Sequence, residues 1–134
     1  MNKYKTTYLG DLRTESIHLE STSKMLSDAP KDNQGEGIYF SPTDLLATSL
    51  TQCMVTIMAI KCKAAGIKFT KCEALTQKVM GENPRRITEI FVVLDFEKNF
   101  YSDKDKKHIE NAALNCPVFK SIHPDIKVDV KFNY

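Results

Sequence analysis

The side chains of this 134-residue chain best suited to covalent chemistry are four cysteines, Cys53, Cys62, Cys72 and Cys116. As a thiolate, cysteine is a nucleophile that passes electrons to a substrate; as a buried neutral thiol it is a small hydrophobe that fills space. The spacings between them are 9, 10 and 44 residues, no C-x-x-C occurs, and His18, His108 and His123 stand alone. The close-spaced ligand pairs of a zinc site are therefore missing, and neither a metal nor an organic cofactor is expected. The pattern points instead to thiol redox chemistry or to plain packing.

Cys53 lies in "SPTDLLATSLTQCMVTIMAIKCKAAGI", residues 41–67. Ser41 suits a helix N-cap, Pro42 the first helical position, and Asp44 stands three residues after the cap, while Gly66 can close the helix in a left-handed conformation. About 24 residues between these signals make a helix of roughly 36 Å, more than one small domain covers, so a partner is expected to cover the rest. Leu46, Leu50, Cys53, Ile57 and Ile60 recur at spacings of four, three, four and three, flanked by Met54 and Met58, and place Cys53 inside one apolar seam. Cys62 is about 180° round the helix from Cys53 and reads as inert.

A second helix is expected over residues 102–115, opened by Ser102 with Asp103 and Asp105 in its first turn. Ile109, Ala112, Ala113 and Cys116 share one face of it. Pro117 then starts a short "PVFKSI" turn with Cys116 as its cap, where a positive dipole end lowers a thiol pKa. Cys53 and Cys116 thus read either as a redox pair on facing helices or as two packing residues.

The remaining elements are strands. Residues 3–27 alternate loosely, broken at "LGD", with a further strand near "SKMLSD"; Asp28–Gly37 form a loop. Residues 68–80 and 85–97 form a hairpin across "MGENPR", and "IKVDVKF" has a clear period of two. The order β, β, β, α, β, β, α, β makes an α+β fold, a single domain over residues 1–134. With 19 basic against 17 acidic side chains, spread evenly, there is no footprint for nucleic acid or an anionic membrane. The N-terminus lacks a signal-peptide apolar run and no unbroken apolar run is long enough for a span, so the expected location is cytoplasmic, where thiols stay reduced.

"SPTDLLATSLTQCMVTIMA", followed 63 residues after Cys53 by "AALNCPV", resembles the osmotically inducible protein C and organic hydroperoxide resistance (OsmC/Ohr) family. The resemblance extends over nearly the whole chain, through "DLRTESIH" and "DAPKDNQGEG". It implies an intertwined homodimer with long central helices wrapped by antiparallel sheets. It implies a cysteine-based peroxidase, an antioxidant enzyme of the stress response, in which Cys53 attacks an organic or inorganic hydroperoxide and becomes a sulfenic acid. Cys116 would resolve that sulfenic acid as a disulfide, and Arg13 would hold the thiolate and orient the peroxide. A dithiol reductant such as a lipoylated protein would close the cycle.

One position departs from the family pattern: the family's glutamate after the helix-opening proline is Thr43 here, with an acid only at Asp44. Asp44 either takes over that role beside Arg13 or caps its own helix through Ser41. A rival from another class is a non-enzymatic dimer binding a small apolar ligand between Met54, Met58 and Phe119.

Overall fold

The computed structural model describes residues 2–97 and 101–134. Residues 1–46 and 47–134 form two compact units. The first holds a sheet of three antiparallel strands in the order β1 (Tyr4–Gly10), β2 (Arg13–His18) and β3 (Lys24–Asp28). Asp11 and Leu12 connect β1 to β2 with φ of 52° and 61°. Two successive positive φ angles make the turn whose twist matches a hairpin. Leu12 carries a side-chain penalty there that glycine would not. Its carbonyl is held by the Ala29 N–H at 3.0 Å. The Asp28–Gly37 loop contains a single 3-10 turn at Lys31–Asn33.

Helix α1 runs from Pro42 to Ala65, as its end signals require. The Ser41 hydroxyl accepts the Asp44 N–H at 3.0 Å and the Asp44 carboxylate accepts the Ser41 N–H at 2.9 Å, a reciprocal capping box. At the other end Gly66 adopts φ 69°, and the Ile67 N–H returns to the Cys62 carbonyl at 2.9 Å, satisfying carbonyls the helix leaves open. Over its most apolar stretch α1 has a mean hydropathy of 1.5, long and apolar enough to cross a membrane. Thr48, Ser49, Thr51, Gln52 and Thr56 interrupt its apolar residues, so no unbroken apolar run reaches that length.

The second unit builds its own sheet in the order β4 (Cys72–Gly81), β5 (Arg86–Phe96), β6 (Lys127–Asn133), with α2 (Asp103–Leu114) and α3 (Pro117–Ser121) between β5 and β6. The expected antiparallel arrangement holds for β4–β5, but β6 pairs parallel to β5 because the chain returns through a helical crossover. The "PVFKSI" turn is the helix α3, with Pro117 at its start. In β5 the buried residues are Ile87, then Ile90, Val92, Leu94 and Phe96. That change of parity is a bulge: Val79 pairs with Glu89 but Met80 with Ile87, leaving Thr88 extra. The Thr88 hydroxyl donates to the Val79 carbonyl at 3.2 Å there.

The core is a stripe of α1 packed with β5 and α2: Leu50, Met54, Met58, Cys62, Ile90, Leu94 and Ile109 are wholly buried. Each such aliphatic side chain contributes on the order of 1.5–3 kcal/mol through loss of contact with water. The buried stripe differs from the expected seam. Leu46 is 39% and Ile60 54% exposed, and Cys53 is only half-buried. Apolar residues occur on more than one face of α1, so spacing alone could not say which face the sheet covers.

Two outcomes follow from these packings. Ser41→Ala removes the cap and should lower unfolding stability by about 1 kcal/mol, read from the urea midpoint. Burial, and then Asp95, push the Cys72 thiol up to about 11. A raised thiol pKa favours the fold while the unfolded thiol stays protonated and ceases to do so as pH climbs through the folded value. Stability should therefore fall between pH 9 and 11, and less steeply in Cys72→Ser, measured by urea titration across that range.

Candidate active site

Cys53 stands at the margin of the buried stripe of α1, one residue before the wholly buried Met54, and packs against the core of its unit while remaining half-buried. Cys116 is the N-cap of α3 and is wholly buried. Its sulfur accepts the Phe119 N–H at 3.4 Å and lies within hydrogen-bonding reach of the Cys53 thiol. The structure therefore brings together the two thiols that the sequence placed on core faces of separate helices. All four cysteines are free thiols.

Burial raises the Cys116 pKa; the Phe119 N–H works against this, and the neighbouring Cys53 adds to it. The expectation that a helix end would lower this pKa is thus overturned. Two amides of a five-residue helix do not offset removal of the thiolate from water. Cys62, about two and a half turns along the helix from Cys53, is also pushed up by burial and by Asp105. It is sealed within the core, consistent with a packing role.

Arg13 lies in the other unit, at the start of β2, directly opposite Asp28 at the end of β3. Its Nε donates to Asp28 Oδ1 at 2.7 Å and its Nη2 to Oδ2 at 3.0 Å. Glu36 lies 3.6 Å from Nη2, and the guanidinium carbon sits 4.8 Å from the centre of the Tyr39 ring. The Asp28 side chain is 1% exposed and also accepts the N–H groups of Ile38 and Tyr39. The Arg13 hydrogen bond, against burial and aided by those amides, holds the Asp28 carboxyl below the usual carboxylate range. The loop can fold back this far because residue 35 is glycine: a Cβ there would collide with the Ala29 carbonyl.

Of the two readings left open for Asp44, the structure displays the cap: its carboxylate is turned back onto Ser41. Met54 and Met58 are wholly buried and cannot wall a ligand pocket as the rival reading required, whereas Phe119 is partly buried. Asp28 and Tyr39 were missed in sequence. In sequence Asp28 both ends the "SKMLSD" strand and opens the loop after it, and nothing there marks its pairing across the sheet with Arg13. No group of three metal-ligating side chains occurs among the described residues.

The profile of the OsmC-like protein family matches residues 34–131, and so crosses both units. A search of curated proteins gave no match. Among solved structures, one from Psychrobacter arcticus 273-4, named for an inferred role in osmotic stress induction and detoxification response, is 49% identical. It has a TM-score of 0.94, covering 99% of this chain and 96% of that one. An organic hydroperoxide resistance protein OsmC of Legionella pneumophila is 13% identical with a TM-score of 0.81, over 100% of this chain and 97% of that one. An organic hydroperoxide resistance protein of Elizabethkingia anophelis is 17% identical with a TM-score of 0.75, over 99% and 95%. These last two show a common fold. The matched profile spans most of the sequence, and the chain belongs to the OsmC-like protein family.

Proposed function

We propose that this protein is a thiol-dependent peroxidase that reduces organic hydroperoxides, and inorganic ones by the same route, in a reducing, cytoplasmic setting. The observation that carries the reading is the contact between the Cys53 and Cys116 thiols. Two reduced cysteines on separate helices, within reach of each other, can join as one disulfide. The names of the Legionella and Elizabethkingia proteins support the same substrate class.

The unequal burial of the two thiols orders the steps. Cys53 is half-buried and open to a substrate; Cys116 is sealed and cannot be the first to meet one. The Cys53 thiolate attacks the distal peroxide oxygen, the O–O bond breaks, and the alkoxide leaves as an alcohol on taking a proton. Cys53 is now a sulfenic acid. Cys116 then attacks the Cys53 sulfur, the S–S bond forms and water departs. A dithiol reductant returns both cysteines to thiols by exchange through a mixed disulfide. Keeping Cys116 protonated until that moment suits a thiol whose role is to resolve. Arg13 would supply the fixed positive charge that favours the Cys53 thiolate, and Asp44 would act through the helix start it caps.

The active assembly in this reading is a homodimer. Tyr4, Tyr8, Leu9, Ile38 and Phe40 of the first unit are each more than half exposed. That much uncovered apolar surface in a 46-residue stretch calls for a partner. Sedimentation equilibrium at micromolar concentration should give twice the chain mass, and a folded monomer would remove this part of the proposal.

Treatment with one equivalent of an organic hydroperoxide should join Cys53 to Cys116 within one chain, seen by peptide mapping. Cys116→Ser should halt at a Cys53 sulfenic acid that a dimedone-type reagent traps, and Cys53→Ser should lose turnover altogether. Arg13→Ala should slow both peroxide reduction and alkylation of Cys53 near neutral pH, by roughly tenfold for each 1.4 kcal/mol of charge stabilisation lost. A disulfide through Cys62 or Cys72 instead would show that the site has been set wrongly.

A further inference from the structure

We infer that the reductant enters at Cys53: a thiolate of the dithiol attacks the Cys53 sulfur of the oxidised protein, the mixed disulfide forms there, and Cys116 is the thiol that leaves. This deepens the thiol-peroxidase reading above and rests on it. Both cysteines belong to the second unit. Cys116 is part of its buried cluster, with Met54, Ile109 and Ala113, and Cys53 packs against that cluster from the margin of α1. They differ in access, for Cys53 is half-buried and Cys116 is 0% exposed. Leu50, Met54, Met58 and Ile109 set these depths rather than the sulfurs themselves, so joining the sulfurs leaves that packing in place.

Thiol–disulfide exchange proceeds by attack in line with the S–S bond, from the side opposite the sulfur that departs. For Cys116 that side is the protein interior, because no part of the residue meets solvent. For Cys53 it is the helix margin. Leaving-group chemistry pulls the other way: burial raises the proton affinity of Cys116, which makes it the slower thiol to depart. Access prevails, since a pKa difference scales a rate whereas a sealed sulfur admits no nucleophile from solvent. In the first step the reductant's thiolate bonds to the Cys53 sulfur, the Cys53–Cys116 bond breaks, and Cys116 keeps its electron pair and takes a proton from water. The Phe119 N–H, 3.4 Å from the Cys116 sulfur, faces the negative charge as it develops. In the second step the other thiolate of the dithiol attacks the reductant's own sulfur in the mixed disulfide. Cys53 is released as a thiolate and the reductant leaves as a cyclic disulfide, two electrons having passed to the protein.

The test uses the native chain, oxidised with diamide so that no hydroperoxide is needed to close the Cys53–Cys116 bond. It is then given 2-mercaptoethanol, a monothiol that stops at the mixed disulfide. After an acid quench and alkylation with N-ethylmaleimide, peptide mapping locates both reagents. Mercaptoethanol should be found on Cys53 and the maleimide on Cys116, exceeding the reverse pattern by about tenfold or more. In concentrated urea the same oxidised protein should divide the monothiol nearly evenly, because burial no longer separates the two sulfurs. Mercaptoethanol mainly on Cys116, an even division in the folded protein, or the folded protein's bias retained in urea would overturn the assignment, while hydroperoxide turnover would leave the peroxidase reading in place. A native protein that consumes no hydroperoxide would overturn that reading, and one in which diamide closes no Cys53–Cys116 bond would overturn both.

Discussion

The rotational setting of α1 is the constraint on which the placing of the two thiols depends. Leu50, Met54, Met58 and Cys62 are withdrawn from water together with Ile90, Val92 and Leu94 of the neighbouring strand, and that burial leaves the helix no freedom to turn about its axis. Successive residues are about 100° apart. With Met54 at the centre of the buried stripe, Cys53 falls on its margin, where its thiol reaches Cys116 and stays half-buried. A rotation by one residue would seal Cys53 in the core and bring Met54 to the margin. Close packing of long side chains, rather than any polar contact, therefore sets how far the Cys53 thiol is exposed.

Much of this was legible in the chain itself. Ser41, Pro42, Asp44 and Gly66 delimited α1 because capping is local chemistry, decided by atoms a few residues apart. The strands and α2 followed from periodicity for the same reason. The buried face of α1 was not legible, because Leu46, Ile57 and Ile60 are as apolar as Leu50 and Met58 and only tertiary contact distinguishes them. The Cys116 thiol was misjudged in direction for a similar reason. Its helix end was visible in Pro117, but its depth of burial was not. Asp28 escaped notice because a residue followed by Ala, Pro and Lys reads as loop, while its partner across the strands lies fifteen positions away.

The two charged groups of the first unit form a nearly neutral pair. Asp28 cancels much of the charge of Arg13 at one edge, yet a planar cation held at that edge keeps a directional positive end at the other. Such an arrangement avoids leaving the buried Asp28 carboxylate as a lone charge, which is costly. The positive φ at Leu12, immediately before Arg13, belongs to the same construction: the tight turn sets where β2 begins and hence where its first side chain emerges.

The parallel pairing of β6 with β5 has a kinetic meaning. Cys116 is carried by the connection between those two strands, whose ends are brought together by the pairing of β6 beside β5. Pairings between segments far apart in sequence form late and set the pace of folding, since the intervening loop must be closed before any contact rewards it. Hairpin β4–β5 and helix α1 need no such closure. Cys53 thus rides on a helix delimited by local capping, whereas Cys116 is carried by the connection that the long-range pairing has to close.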